Sequence, residues 1–519
     1  MESHGPSTPM FINGSDRKSG PSQNETTNTT TVVGWTKILL LAGFSTTVGG
    51  SLSVGYNIGV VNAPAVVIKP FCNQSIYDRY GVVLSGSQLD FLWSSIVSIF
   101  LIGGAIGSLG GSAIADSLGR RGGLIVSQLL GFIAGLLFVS SEVLRSVETL
   151  MVGRLLVGLS AGMITGIMPM YLMEMAPLHL KGSMGVLCPL GVCTGVLLGQ
   201  IISLPGILGN EHYWNYCLSF FLIPLVLCSI IFPFLPESPK YLFIIKKNHQ
   251  LAVKGLSRIR NVSASQLEQE IQELKDEQQV KDSLRDDVWS LGRVLKDRKL
   301  LLPIMLVCAL QSGQQFSGIN AVFYYSVAIF KSAGLSESGQ QLGTIAAGVC
   351  NLFMAIISIR IMEKFNRRFI IQLSLATTAF FLFLLAVAVQ FLHAATWMPY
   401  LSIVGVLGFV LCYGIGLGPI PYFIASELFE VGPRPCAMAL GSMANWGGNF
   451  FIGLFFPLMN RYLGAVSFVI FSTWIVFLFF LVRIYLPETR GKDVAQVALL
   501  CQDGLASKPL SSPVIRTPE

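Results

Sequence analysis

The hexapeptide D-S-L-G-R-R (Asp116 to Arg121) returns as E-K-F-N-R-R (Glu363 to Arg368), 247 residues further along the chain. Two other pairs keep nearly the same spacing. Glu174 precedes Lys181 by seven residues, and Glu427 precedes Arg434 by seven, at an offset of 253; P-E-S-P-K (Pro236 to Lys240) is matched by P-E-T-R-G (Pro487 to Gly491) at an offset of 251. One such match arises by chance, but three in order at nearly one offset mark a chain made of two similar halves. Each motif follows an apolar segment, so the repeated unit is a set of helices that ends in charge.

Composition says what surrounds those helices. The chain has 519 residues, 52% hydrophobic and 12% charged, with a mean hydropathy of +0.64, more apolar surface than a water-soluble fold can hide. A hydrocarbon layer about 30 Å thick asks for about 20 apolar residues per helix. Stretches of that kind fall into two sets of six, which predicts an all-α integral membrane protein of about twelve spans in two pseudo-symmetric six-helix bundles. The expected boundaries are a disordered tail at 1–35, a first bundle at 36–235, a helical linker at 236–300, a second bundle at 301–486 and a tail at 487–519. Within the linker, Leu267, Ile271 and Leu274 recur at helical spacing between charged residues, the pattern of an amphipathic helix.

The net charge of +7 is scattered over segment ends rather than gathered on one face, so nucleic acid is not an expected partner. The scatter carries topology instead. Bases follow the second, fourth, eighth and tenth spans and fill the linker, which places both termini and the linker in the cytoplasm. Asn73 then falls in the first external loop and is the one expected glycosylation site among five sequons; Asn13, Asn24, Asn28 and Asn261 fall inside. Eight of the ten cysteines lie in or beside apolar spans and read as small buried thiols, leaving Cys72 towards the oxidising side.

Two similar bundles about a central axis are a transporter architecture, with substrate near the midplane between them. The residues available there are uncharged amides: Gln311, Gln314, Gln315, Asn320, Asn351, Asn445 and Asn449. An amide offers donors and an acceptor, as a ring of hydroxyls requires, whereas a carboxylate substrate would call for Arg. Gln311, Gln314 and Gln315 stand at i, i+3 and i+4 on one helix face, and Trp446 supplies an aromatic plane for the apolar face of a sugar ring. The charged ends suit a gate. Asp116, Arg120, Arg121, Glu174, Lys181, Glu237, Glu363, Arg367, Arg368, Glu427, Arg434 and Glu488 are expected to form ion pairs that bridge the bundles in one state and part in the other. No cofactor or metal is expected. The five histidines are scattered and no H-E-x-x-H or Walker A sequence occurs, which argues against an enzyme or an ATP-driven pump. Gly and Pro breaks between Gly416 and Pro421 favour a carrier over a static pore.

With these residues in view the chain resembles the sugar porters of the major facilitator superfamily, and within them the facilitative glucose transporters, from Trp35 to about Val497. The marks are G-Y-N-I-G-V-V-N-A-P (Gly55 to Pro64), D-S-L-G-R-R, G-R-L-L-V-G (Gly153 to Gly158), P-E-S-P-K-Y-L (Pro236 to Leu242), Q-Q-F-S-G-I-N-A-V-F-Y-Y (Gln314 to Tyr325), G-P-I-P-Y-F (Gly418 to Phe423), N-W-G-G-N-F (Asn445 to Phe450) and P-E-T-R-G. The resemblance implies facilitative transport of a hexose, glucose or fructose, across the plasma membrane by alternating access. It places Gln314, Gln315, Asn320, Asn351 and Asn445 at sugar-binding positions. Proton-coupled relatives have an aspartate where this chain has Asn57, so uniport is expected. Where glucose carriers of the family have Gln in the fifth span this chain has Pro189. Ser312 and Gly313 stand in place of a Q-L-S motif, Gly414 in place of a Glu, and Tyr422 in place of a Trp in G-P-x-P-W. Those departures leave an atypical solute such as urate or a polyol, or proton-coupled symport, as the alternatives.

Overall fold

A computed structural model describes residues 34–177, 180–283, 291–429, 432–490, 492, 494–501 and 507. Most of the two predicted tails, and with them Asn13, Asn24 and Asn28, lies outside the described residues, as does the side chain of Glu363.

The first half is α1 (Lys37–Gly59), α2 (Ala65–Tyr80), α3 (Gly86–Leu118), α4 (Arg120–Val143), α5 (Val147–Met175), α6 (Lys181–Ile202) and α7 (Trp214–Phe234). All but α2 are long and apolar enough to cross a membrane. The linker follows as α8 (His249–Arg260), α9 (Glu268–Ser283) and α10 (Leu291–Lys296). The second half comprises α11 (Arg298–Phe316), α12 (Ile319–Ser332), α13 (Glu337–Lys364), α14 (Arg367–Gln390), α15 (Met398–Ile415), α16 (Ile420–Leu428), α17 (Arg434–Leu463) and α18 (Val466–Tyr485). Here α11 with α12, and α15 with α16, each make one interrupted span. Among the described residues eleven segments qualify as spans by length and hydropathy. The twelfth position belongs to α17, which is 30 residues long but carries Asn445, Asn449 and several glycines. Its polarity is the polarity of a helix facing the protein interior.

Within each half the helices approach closely where side chains are small, as membrane helices do in the absence of a hydrophobic drive between them. A Cβ built on Gly158 would sit 2.1 Å from the Phe100 carbonyl oxygen, and one on Gly162 would sit 2.1 Å from that of Gly104, so α3 and α5 touch backbone to backbone. Between the halves, α3 packs on α17 and α6 on α13. The linker is pinned to the first half by Arg260, whose guanidinium binds Glu270 at 2.8 Å and also donates to the Met175 carbonyl at 2.6 Å. Ile271 and Leu274 pack against Phe243, Ile244 and Ala252, the apolar stripe of the linker.

Candidate functional site

Two helix breaks build the centre of the second half. At Gly318 the backbone takes φ +84, and the Phe471 ring lies 2.7 Å from where a Cβ would stand, so α11 ends and α12 begins at a residue that has to be glycine. In the other interrupted span, Gly416, Gly418, Pro419 and Pro421 leave main-chain carbonyls without helical partners. Amides from α11 reach this break. Gln311 Nε2 donates to the Pro421 carbonyl at 2.8 Å, and Gln314 Nε2 donates to that of Gly418 at 2.7 Å. Gln314 is only 1% exposed.

The same amides join a single network. Asn445 Nδ2 donates to Gln314 Oε1 at 2.6 Å and to Gln311 Oε1 at 2.9 Å; Gln315 Nε2 donates to Asn445 Oδ1 at 3.2 Å; Asn320 Nδ2 donates to Gln315 Oε1 at 2.6 Å. Five of the sequence-predicted residues are therefore in direct contact. Gln311 and Gln314 direct Nε2 donors to the helix break. Asn320 and Asn445 are half-buried and border open space. Trp446 belongs to α17 and its ring packs against α3, 2.4 Å from a Cβ built on Gly104, so it touches both halves. Tyr422 is 62% exposed on α16. Asn351 stands apart from the network, on α13 within hydrogen-bonding reach of Cys193 on α6. Asn449 accepts from the Tyr324 hydroxyl at 3.5 Å.

Departures from the family pattern have local causes. A Cβ on Gly414 would meet Met354 Cβ at 2.6 Å, so α15 has no room for the Glu that the pattern carries there. Gly414→Glu is expected to force α13 and α15 apart and to lower both folded yield and uptake, measured by fluorescence-detected size exclusion and solute flux. Pro189 is exposed and α6 runs through it unbroken.

The charged motifs form the same structure twice. In the first half Arg120 Nε donates to Glu174 Oε2 at 3.0 Å, Arg120 Nη1 donates to Asp116 Oδ1 at 3.0 Å, and the Ser238 hydroxyl donates to Glu174. Glu237 caps the N-terminus of α4 through the Arg121 N–H at 3.1 Å, and Arg121 Nη1 donates to the Leu235 carbonyl at 2.8 Å. In the second half Arg367 Nε donates to Glu427 Oε1 at 3.4 Å and the Thr489 hydroxyl donates to Glu427. Glu488 caps α14 through the N–H groups of Arg367 and Arg368, at 2.9 and 3.1 Å, and Arg368 Nη2 donates to the Arg483 carbonyl at 2.7 Å. The repeat legible in sequence is thus a repeated helix-cap and ion-pair unit. In this structure these pairs close within each half, each arginine meeting the glutamate of its own half at the start of its helix. Lys181 is exposed at the start of α6, and Arg434 Nε donates to the Phe429 carbonyl at 3.1 Å; neither is paired with the glutamate seven residues before it.

Several polar groups escaped the sequence reading because their roles depend on distant contacts. Arg154 is fully buried, donating to the carbonyls of Asn57 at 3.0 Å and Ile96 at 3.3 Å, with its guanidinium 4.8 Å from the centre of the Phe100 ring. Gln200, buried on α6, has no partner among the described residues for either side-chain polar atom and lies against Gly348 of α13. The stretch G-L-S-A-G (Gly158 to Gly162) has the letters of a nucleophile motif, but Ser160 is buried and donates to the Ser127 carbonyl at 2.7 Å, so its glycines serve packing. Asn73 lies in α2, half-buried, with Oδ1 accepting from the Leu84 N–H at 3.1 Å. Cys72 is 1% exposed and unpaired, and burial pushes its thiol up to about 12. It is therefore a packed thiol and not a reactive one.

Known proteins resemble the chain over most of its length. A family model described as sugar (and other) transporter matches residues 43–500. Facilitated glucose transporter member 1 of Gallus gallus is 36% identical over 464 residues, 89% of this chain and 94% of the relative. Member 3 of Homo sapiens is 40% identical over 453 residues, 86% and 89% of the two chains. Among solved structures, the xylose transporter XylE from E. coli in a partially occluded inward-open conformation superposes with a TM-score of 0.72 at 24% identity, covering 88% of this chain and 100% of its own. That likeness shows the fold of the major facilitator superfamily.

Proposed function

The chain belongs to the sugar (and other) transporter family, a family of multi-pass membrane transporters and not of enzymes, and from that premise we propose that it is a facilitative uniporter of a hexose. Glucose or fructose is the solute, the plasma membrane the site, and alternating access the mechanism, with termini and linker in the cytoplasm and a glycan on Asn73. The observation that carries this reading is the uncharged network of Gln311, Gln314, Gln315, Asn320 and Asn445, set beside a broken helix and a tryptophan that touches both halves. Such a network offers fixed donors and acceptors to hydroxyl groups and nothing to a charge. Gln315, Asn320, Asn351, Tyr422, Asn445 and Trp446 contact the sugar, while Gln311 and Gln314 hold the others in place. The cytoplasmic units of Arg120 with Glu174 and Arg367 with Glu427 keep each half rigid as the halves rock, so that the seam between them does the moving.

Uniport follows from the surroundings of Asn57. Its Nδ2 donates to the Ser53 carbonyl at 2.9 Å, and the hydrogen bonds of the nearby Arg154 among the described residues go to carbonyl oxygens and to no carboxylate that could take up a proton with each sugar. Proteoliposomes loaded with a pH dye are expected to take up labelled hexose with saturation and counterflow, without acidification. A sugar-driven proton flux would make the protein a symporter. Uptake of urate or a polyol in place of glucose, fructose and galactose would assign the atypical solute.

A further inference from the structure

We infer that the halves are held together at the end remote from the linker by an ionic latch, centred on Asp90, that must open for the carrier to face that side. Asp90 stands at the start of α3, in the first half, 26 residues before Asp116 at the linker end of the same helix. One oxygen, Oδ1, binds Lys69 Nζ of α2 at 2.7 Å; the other, Oδ2, binds Arg461 Nη1 of α17 at 2.9 Å. The carboxylate therefore ties the short external helix, the first half and the second half together. Its side chain is 28% exposed, so the pairs are hydrated and weak enough to break in a transport cycle.

A neutral seam lies beside it. Asn62 Nδ2 donates to Ser326 Oγ at 2.5 Å, the Val327 N–H donates to Asn62 Oδ1 at 3.3 Å, and Ser326 shares a hydrogen bond with Thr344 Oγ1 at 2.9 Å. This seam joins the turn after α1 to α12 next to Tyr325, where φ −138 interrupts the helix. One turn along α13 from Thr344, Gly348 faces Gln200, whose amide has no partner among the described residues while the seam is shut. An unmet buried amide favours separation, so closure needs an opposing attraction. The latch on Asp90 supplies it, and through Lys69 it makes α2 part of the gate. By contrast, Arg79 and Glu148, paired at 3.1 Å at the same end, both belong to the first half and cannot sense its opening.

The test is a distance measurement on the full chain in liposomes. Val83 and Tyr462, both exposed, are replaced by a ketone-bearing amino acid and spin-labelled, and the separation is read by pulsed electron resonance. Arg461→Asp is expected to raise the long-distance population about two- to fivefold, the range open to an exposed ion pair. Arg461→Lys should retain the parent distribution, and high salt should move the parent towards the Arg461→Asp distribution. Arg461→Gln gives a milder change should the reversal impair folding. An unchanged distribution in both Arg461→Asp and Arg461→Gln, or an equal shift in Arg79→Asp, overturns the latch. Its effect on flux depends on the carrier function proposed above, whereas the label distances do not, so failure of one is distinguishable from failure of the other.

Discussion

Replacing Gln315 by Leu is expected to lower hexose uptake by about a hundredfold, equivalent to about 2.7 kcal/mol, while the protein still reaches the membrane. The side chain is the hinge of the amide network. Its Nε2 holds Asn445 Oδ1 and its Oε1 holds Asn320 Nδ2, so a leucine leaves both of those atoms without their Gln315 partner and removes the proposed sugar contact at once. Each stranded polar group costs about 1–3 kcal/mol when buried. On the proposed sugar site the loss extends to binding, because the asparagines can no longer present fixed donors to the hydroxyls. Surface biotinylation and thermal melting separate the two effects. Retained uptake with a lower melting temperature would make the network a packing device only and would remove the sugar site from this helix face.

The second large effect is an asymmetry between two motifs that read alike in sequence. Arg120 and Glu174 have side-chain exposures of 8% and 10%, against 18% and 25% for Arg367 and Glu427. Arg120 also meets Asp116, and its guanidinium lies 5.0 Å from the centre of the Tyr241 ring. Removing one partner of a buried pair leaves an uncompensated charge at a cost of about 3–5 kcal/mol, whereas replacing both with apolar residues is far milder. Arg120→Met should therefore lower the melting temperature much more than Arg367→Met, and the double variant Arg120→Met/Glu174→Met should recover most of the loss. Equal effects in the two halves would contradict the difference in burial.

How far the site was legible depends on the range of each contact. The repeat, the spans and the linker stripe are local patterns, carried by hydropathy and by charges at fixed offsets; among the described residues eleven spans qualify, the charge motifs recur, and Ile271 and Leu274 of the stripe are packed. The three glutamines of α11 were legible for the same reason, since helical spacing alone puts residues 311, 314 and 315 on one face. Their division of labour was not. That Gln311 and Gln314 serve the helix break while Gln315 reaches Asn320 and Asn445 depends on a carbonyl row more than a hundred residues away. Likewise Asn351 was legible by its chemistry, but its reach to Cys193 depends on the packing of α13 against α6.

By itself the sequence determined that this chain is two six-helix halves dissolved in lipid, ending in twice-used charge motifs and lined by uncharged amides. Those properties follow from transfer free energies and helical periodicity, which act over a few residues. Only the tertiary structure decided which charges pair. Asp90 and Arg461 are 371 residues apart and belong to no motif, yet they meet across the seam, while the conspicuous arginines of the repeat stay inside their own halves. An ion pair forms between whatever charges the packed helices bring within reach, and that distance is set by helix packing over the whole bundle.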